Sequence, residues 1–331
     1  MKLGVAIEDT WDFFHDIYAE FQAHHEVSLF ERRSVDLPVF NQRINRFLFD
    51  RHLAAFLKEN DVVFFEWSSE LLAAASHMPK TCRIFTRMHR FEMYHWVDKV
   101  NWENVDKLIV VSQAKRDEFV ARFPNHAGIV EVITEAINLE KFKFNPKPFR
   151  GNLGILCHLR PRKRVYEAIL DFYELNKKRD DLHLHIGGGG AEGFHEYPIA
   201  LNQLVDKLEL NDKVTFYGNV TDNRAWYDNI DIFLSNGYSE GWQVSLIEAM
   251  ASGCYCLSHQ WAGADEYLPP ENLYFTGFEL QQRVLAYCAM PEAEKQQQIA
   301  CLREKVEANF DMTKTKVQIR ELVENAEKGA A

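Results

Sequence analysis

Short runs rich in Val, Ile, Leu and Phe alternate along the chain with longer stretches whose apolar positions recur every three or four residues. The short runs suit strands buried on both faces, and the periodic stretches suit helices that lay one face on them. Strands are expected over 3–7, 27–30, 62–65, 83–86 and 108–112, then over 154–156, 182–186, 214–217, 230–234 and 255–257. In the helical segment 39–58, Ile44, Phe47, Leu48, Leu53 and Leu57 keep the three- and four-residue step, and 312–326 reads as a terminal helix. Alternation of this kind builds βαβ units, so the expected class is α/β with parallel sheets, the same architecture twice.

The two series are separated at Asn145-Pro146-Lys147-Pro148, where two prolines suppress both helix and central strand. The expected division is a first domain over 1–148, a second over 149–311, and a terminal segment 312–331 that packs back on the first. A chain of 331 residues, 47% hydrophobic, is long enough for two such cores. Its formal charge of −11 argues against a nucleic-acid reader, since binding a polyanion needs clustered Lys and Arg. Residues 1–150 carry 20 basic and 22 acidic side chains, the remainder 18 and 27, so the negative charge sits mainly in the second half.

Six cysteines occur without a C-x-x-C pair, which suits reduced thiols in the cytoplasm. No apolar run reaches the roughly 18 residues of a spanning helix, and the start leads straight into strand-like sequence rather than a signal peptide. Segment 41–58 also carries Arg43, Arg46, Arg51 and Lys58. Two readings stay open for it: a surface helix on the first sheet, or a peripheral contact with an anionic membrane that bears a lipid-linked acceptor.

The most informative stretch runs from Ser239 to Gly253. It follows a strand, and Val244, Ile247, Met250 and Ala251 define one helix face, so Glu240 falls in the loop and Glu248 inside the helix. A strand-loop-helix unit puts free N–H groups and the positive end of the helix dipole at the carboxyl edge of the sheet, where an anion belongs. Carboxylates there are wrong for phosphate but accept well from vicinal hydroxyls. A nucleotide sugar presents both a diphosphate and diols.

The spacing Glu240-Gly241-Trp242, then Glu248-Ala249-Met250-Ala251-x-Gly253, closely resembles the E-x7-E signature of retaining glycosyltransferases of the GT-B fold, the glycosyl transferases group 1 or family 4. Val214 to Val220 resembles the family's V-x-F-x-G-x-V, and Trp226 to Ile232 its Y-x-x-x-D-I. Val111-Ser112-Gln113 with Arg116, and the stretch from Ile133 to Phe142, resemble the end of its first domain. The resemblance implies two Rossmann-like domains whose parallel sheets face across a cleft, with a last helix crossing back to the first domain.

By that resemblance Glu248 holds the ribose hydroxyls, Glu240 approaches the donor sugar, the backbone of Gly241, Trp242, Gln243, Val244 and Ser245 cradles sugar and diphosphate, and the Val220 loop reads the base. Lys163 stands at the family's phosphate lysine, but His158 replaces its arginine. Arg160 or Arg162 is expected to substitute, because a guanidinium makes a bidentate phosphate contact that imidazole cannot. Gly188, in Gly187-Gly188-Gly189-Gly190, resembles the family's V-G-x-G loop and is expected to let the ligand or a neighbouring loop approach. His89 sits where relatives keep a histidine that contacts the donor sugar, and Arg87, Arg90 and Glu92 of the same loop are weaker candidates, Arg87 and Glu92 for the acceptor. The first loop, Glu8-Asp9-Thr10-Trp11-Asp12, lacks the glycine pair of many relatives, so Asp9 and Trp11 are assigned to the acceptor. No D-x-D triplet occurs. His183 and His185 share a strand face without a third ligand at useful spacing, so no metal and no other cofactor is expected.

The implied reaction is metal-independent hexosyl transfer with retention, from a UDP- or GDP-sugar to a hydroxyl of a saccharide, lipid-linked or small-molecule acceptor in surface glycan or glycoconjugate synthesis. The alternatives are a phosphorylase or epimerase of the same fold, and a non-catalytic chain that binds a nucleotide sugar or serves as a partner in a complex.

Overall fold

The computed structural model describes residues 1–36 and 40–328. They cluster into two compact units, Met1–Glu135 with Met312–Ala331, and Ala136–Asp311. The first unit runs β1 (Lys2–Ala6), α1 (His15–His24), β2 (Glu26–Leu29), α2 (Asn41–Glu59), β3 (Val62–Glu66), α3 (Glu70–Ser76), β4 (Arg83–Met88), α4 (Arg90–His95), β5 (Lys107–Val110), α5 (Gln113–Arg122) and β6 (Val130–Val132). The second runs β7 (Asn152–Leu156), α6 (Val165–Asn176), β8 (His183–Gly187), α7 (Glu196–Lys207), β9 (Val214–Gly218), α8 (Asn223–Tyr227), β10 (Ile232–Ser235), α9 (Val244–Ser252), β11 (Tyr255–His259), β12 (Leu273–Tyr274), α10 (Gly277–Ala289) and α11 (Glu292–Asn309). The final helix, α12 (Met312–Lys328), belongs to the first unit.

Among the described residues the first unit holds a parallel sheet ordered β2-β1-β3-β4-β5-β6 and the second one ordered β12-β11-β10-β7-β8-β9. Strand side chains alternate between faces, which explains the two cores of the first unit. Phe64 of β3 joins Leu3, Phe21, Ile319 and Val323 under α1 and α12, while Val63 and Phe65 join Phe49, Leu53 and Leu57 of α2 on the other side. The buried Glu20 of α1 pairs with Lys316 at 3.1 Å and Arg320 at 3.3 Å, fastening the last helix where its apolar stripe already directs it. A single larger core fills the second unit.

Strand order reverses between β1 and β3 in the first sheet and between β7 and β10 in the second, and open parallel sheets bind ligands at the carboxyl ends beside such a reversal.

Several expected bounds shift. β4 extends beyond 86 to Met88, β10 begins at Ile232 rather than 230, and the expected strand 108–112 ends at Val110 because Ser112 caps α5 through Lys115 N–H at 3.1 Å. β6 and β12, of three and two residues, carry too little pattern to be read from sequence. Residues 136–148 lie in the second unit: Ile137 and Phe142 are buried in its core, and Ile137 N–H donates to Phe310 O at 3.0 Å. Val39, expected to begin the second helix, lies outside the described residues.

Candidate functional site

In the second unit the loops after β7 and β10 emerge from adjacent strands at the reversal point. The first loop makes a tight turn over Pro161–Lys163, begun by a proline whose missing N–H is harmless there and ended by Arg164 in the left-handed region at φ 52°. Asn236 Nδ2 donates to the Arg164 carbonyl at 2.8 Å, and Tyr238 N–H to that of Arg162 at 3.3 Å, so each loop sets the position of the other.

Their meeting brings Arg162 and Lys163 onto Glu240. The carboxylate, 4% exposed, accepts from Arg162 Nη1 at 2.6 Å and from Lys163 Nζ at 2.8 Å. Burial works against its ionised form, but the two cations outweigh burial and hold its pKa below the ordinary carboxylate range. Arg162 also donates to the Ser239 carbonyl. Of the two arginines left open by the sequence, Arg162 makes these contacts. Arg160 is half-buried, its Nε without a hydrogen-bond partner among the described residues, and His158 is exposed.

Glu248, 9% exposed on α9, accepts from Tyr227 Oη at 2.9 Å and from Asn223 Nδ2 at 3.4 Å. Burial raises its pKa, and the two hydrogen bonds offset that only in part. Tyr227 also donates to the Ser245 carbonyl at 3.0 Å. Asn223 and Tyr227 are not among the candidates of the sequence, although the aromatic run at 226–227 stands in a recognised motif. Gln243 ends the loop before α9, its N–H donating to Tyr267 Oη at 2.6 Å and its side chain bonding Ser235 Oγ and Ser245 Oγ. Trp242 packs on Tyr267, with ring centroids 3.9 Å apart, so its indole braces the loop. Gly241 is buried and Val244 half-buried, and Gly253 closes α9 in the left-handed region at φ 90°.

Gly188 has φ 122°, and a Cβ there would lie 1.8 Å from the Cys157 carbonyl oxygen. Around it Cys157 N–H donates to Gly187 O at 3.1 Å, Leu159 N–H to Gly189 O at 2.9 Å, and Gly188 N–H to Gly218 O at 2.7 Å. Of the two roles expected for this loop, the geometry displays the approach of neighbouring loops. Val220 packs half-buried behind it.

In the first unit, strand register sets Glu66 beside Arg87 at the carboxyl ends of β3 and β4. Arg87 Nη2 donates to Glu66 at 2.5 Å and to the Phe13 carbonyl at 2.8 Å, so this fully buried guanidinium faces protein groups rather than open space. His89 Nε2 lies 3.2 Å from the same Glu66 and its Nδ1 2.6 Å from Glu135. Burial alone would lower the His89 pKa, but Glu135 and Glu66 carry it up to about 10. Trp67 covers the imidazole at 4.2 Å between centroids while holding φ at 85°, a strained backbone for a bulky residue. Its indole N–H donates to the Thr10 carbonyl at 3.2 Å, tying the first loop to this cluster. Glu92 is 0% exposed, both oxygens lack a hydrogen-bond partner among the described residues, and burial raises its pKa. Asp9 is exposed and Trp11 half-buried against Tyr18. Glu66, Trp67 and Glu135 carry no signal in the sequence, because pairing of β3 with β4 brings Glu66 and Trp67 to His89, and Glu135 comes to it from beyond β6.

His183 bonds Thr215 at 2.9 Å and His185 bonds Tyr217 at 2.8 Å. Among the described residues no group of three or more His, Cys, Asp or Glu side chains is arranged to hold a metal ion, and no helix is long and apolar enough to cross a membrane. α2 buries Phe49, Leu53 and Leu57, while Phe47 is 63% exposed and Phe40, at the start of the helix, 70%.

Residues 140–283 match the family model described as glycosyl transferases group 1. One component of the human phosphatidylinositol N-acetylglucosaminyltransferase is 29% identical over 177 residues, 51% of this chain and 35% of that one. Alpha-monoglucosyldiacylglycerol synthase of Streptococcus pneumoniae is 27% identical over 145 residues, 39% of this chain and 32% of that one. The chain thus spans about a third of the length of these curated relatives in the matched regions. The crystal structure of Anabaena Alr3699/HepE in complex with UDP and glucose superposes with a TM-score of 0.79 at 16% identity, covering 98% of this chain and 99% of that one. The paired parallel α/β units carry the GT-B fold, and within it residues 140–283 are similar to the glycosyl transferases group 1.

Proposed function

We propose that the chain transfers a hexosyl group from a nucleoside-diphosphate sugar, UDP- or GDP-linked, to a hydroxyl of a saccharide, lipid-linked or small-molecule acceptor, with retention at the anomeric carbon and without a metal. The observation that carries this reading is the convergence of Arg162, Lys163 and Glu240 at the strand reversal, one loop away from Glu248 and the first turn of α9. The fold relative bound to UDP and glucose, and the glycolipid-forming names of the sequence relatives, are consistent with it.

In this reading the diphosphate lies against Arg162, Lys163 and the N–H groups that open α9, and Glu248 accepts from the ribose hydroxyls. The acceptor hydroxyl forms the new bond to the anomeric carbon on the face the diphosphate leaves. The breaking bond's electron pair stays on the departing phosphate oxygen, which takes the acceptor proton. Catalysis then consists of holding two reactants in reacting geometry and meeting the charge that develops on the diphosphate. For a lipid-linked acceptor, α2 offers exposed Phe40 and Phe47 beside Arg43, Arg46 and Arg51, a surface suited to an anionic membrane.

The test is a melting-point screen of UDP, GDP, ADP and their hexose conjugates, followed by hydrolysis of whichever conjugate stabilises the chain. One nucleotide class should raise the melting temperature and its sugar conjugate should be turned over slowly in water. Binding without any turnover would favour the non-catalytic alternative, and no stabilisation by any of them would refute the reading.

A further inference from the structure

The two cations proposed for the diphosphate already share one carboxylate. Glu240 sits between Arg162 and Lys163 at 2.6 and 2.8 Å, nearly removed from water. A diphosphate cannot lie on those cations while a carboxylate occupies them, since like charges at that range repel strongly in a buried setting. Gly237 makes the arrangement possible: a Cβ at that position would stand 2.2 Å from Glu240 Oε1, in the space the carboxylate fills.

We propose that Glu240 is the resident counter-ion of the phosphate-binding cations and that the donor exchanges it. The diphosphate takes over Arg162 and Lys163, and the displaced carboxylate accepts hydrogen bonds from the hydroxyls of the donor sugar. This rests on the reading of the second unit as a nucleoside-diphosphate-sugar site. A donor gives the carboxylate a new partner; a nucleoside diphosphate without its sugar does not. Once the sugar has moved to the acceptor, Glu240 competes again for its cations and loosens the product. The same side chain therefore favours substrate over product and speeds release.

The test titrates UDP, UDP-glucose, GDP and GDP-mannose into the wild-type chain, Glu240→Gln and Gly237→Ala by calorimetry. Gly237 lies outside the left-handed region, so an alanine there fits the backbone and displaces only the tip of a flexible side chain. For the nucleotide class that the wild type binds, both variants should bind the nucleoside diphosphate about tenfold more tightly. Glu240→Gln should lose the preference for the sugar conjugate, and Gly237→Ala should keep it. Without nucleotide Glu240→Gln should melt below the wild type, because two half-buried cations lose their anion, and the nucleoside diphosphate should remove that deficit. Unchanged or weaker binding of the nucleoside diphosphate in both variants would overturn the exchange while leaving the donor site intact. Failure of the wild type to bind any of the four would remove the site itself, and the exchange with it.

Discussion

His89 Nδ1 lies 2.6 Å from Oε1 of Glu135, the last residue of the first unit before the chain passes into the second. With Glu66 on its other nitrogen, the imidazole has both N–H groups engaged by carboxylates and is held as a cation. An imidazolium so placed cannot act as a general base. What it offers a ligand is fixed charge and a ring edge steadied by Trp67.

The raised His89 pKa ties stability to pH. Its contribution is complete below the ordinary value of 6.5 and is lost as pH rises through about 10. Thermal melts of the wild type should fall across that window, and His89→Gln should show a lower and flatter profile, since breaking a buried pair costs about 3–5 kcal/mol. A wild-type profile parallel to that of His89→Gln would contradict the pairing.

Glu248 and Tyr227 make a second separable pair. Glu248→Ala should weaken nucleoside-diphosphate binding by about 1.5–3 kcal/mol, the worth of hydrogen bonds to a charged acceptor. Tyr227→Phe removes a donor to both Glu248 and the Ser245 carbonyl, and should lower global stability by about 1 kcal/mol with a smaller loss of affinity. Calorimetry and urea unfolding read the two effects, and equal affinity in Glu248→Ala and wild type would take Glu248 out of the site.

Gly188→Ala tests the stitched loop. The added Cβ meets backbone, not a movable side chain, and the φ of 122° is foreign to alanine. A loss above about 2 kcal/mol is expected in denaturant unfolding. A neutral result would mean that the loop yields easily.

Turnover should continue in EDTA, and the new glycosidic bond should keep the anomeric configuration of the donor, as read by NMR coupling constants. Activity lost to chelator and restored by manganese would assign charge neutralisation to a metal instead of Arg162, Lys163 and α9.

On vesicles containing anionic lipid, the chain should co-float at low salt, and Phe47→Glu should reduce flotation without changing the melting temperature, because Phe47 is exposed. Equal recovery of variant and wild type would leave α2 as a helix whose buried face alone matters.

Much of the candidate site in the second unit is local in sequence, and that is why it could be read there. Glu240 and Glu248 sit on one strand-loop-helix segment, so their separation of eight positions carries its geometry with it. The alternation of apolar runs likewise determined two parallel α/β sheets, since burial on both faces leaves few other solutions. Strand order, the joining of 136–148 to the second unit and the short edge strands β6 and β12 depended on contacts between distant segments.

The partners of the candidate residues followed the same division. Tertiary structure alone decided that Arg162, and not Arg160, reaches Glu240, that Tyr227 holds Glu248, and that Arg87 turns inward to Glu66. Sequence determines which residues stand at the ends of strands, because periodicity is a property of neighbours along the chain. Which ends meet is settled by sheet order and register, where segments tens of residues apart come within hydrogen-bonding distance, and no local pattern encodes that meeting.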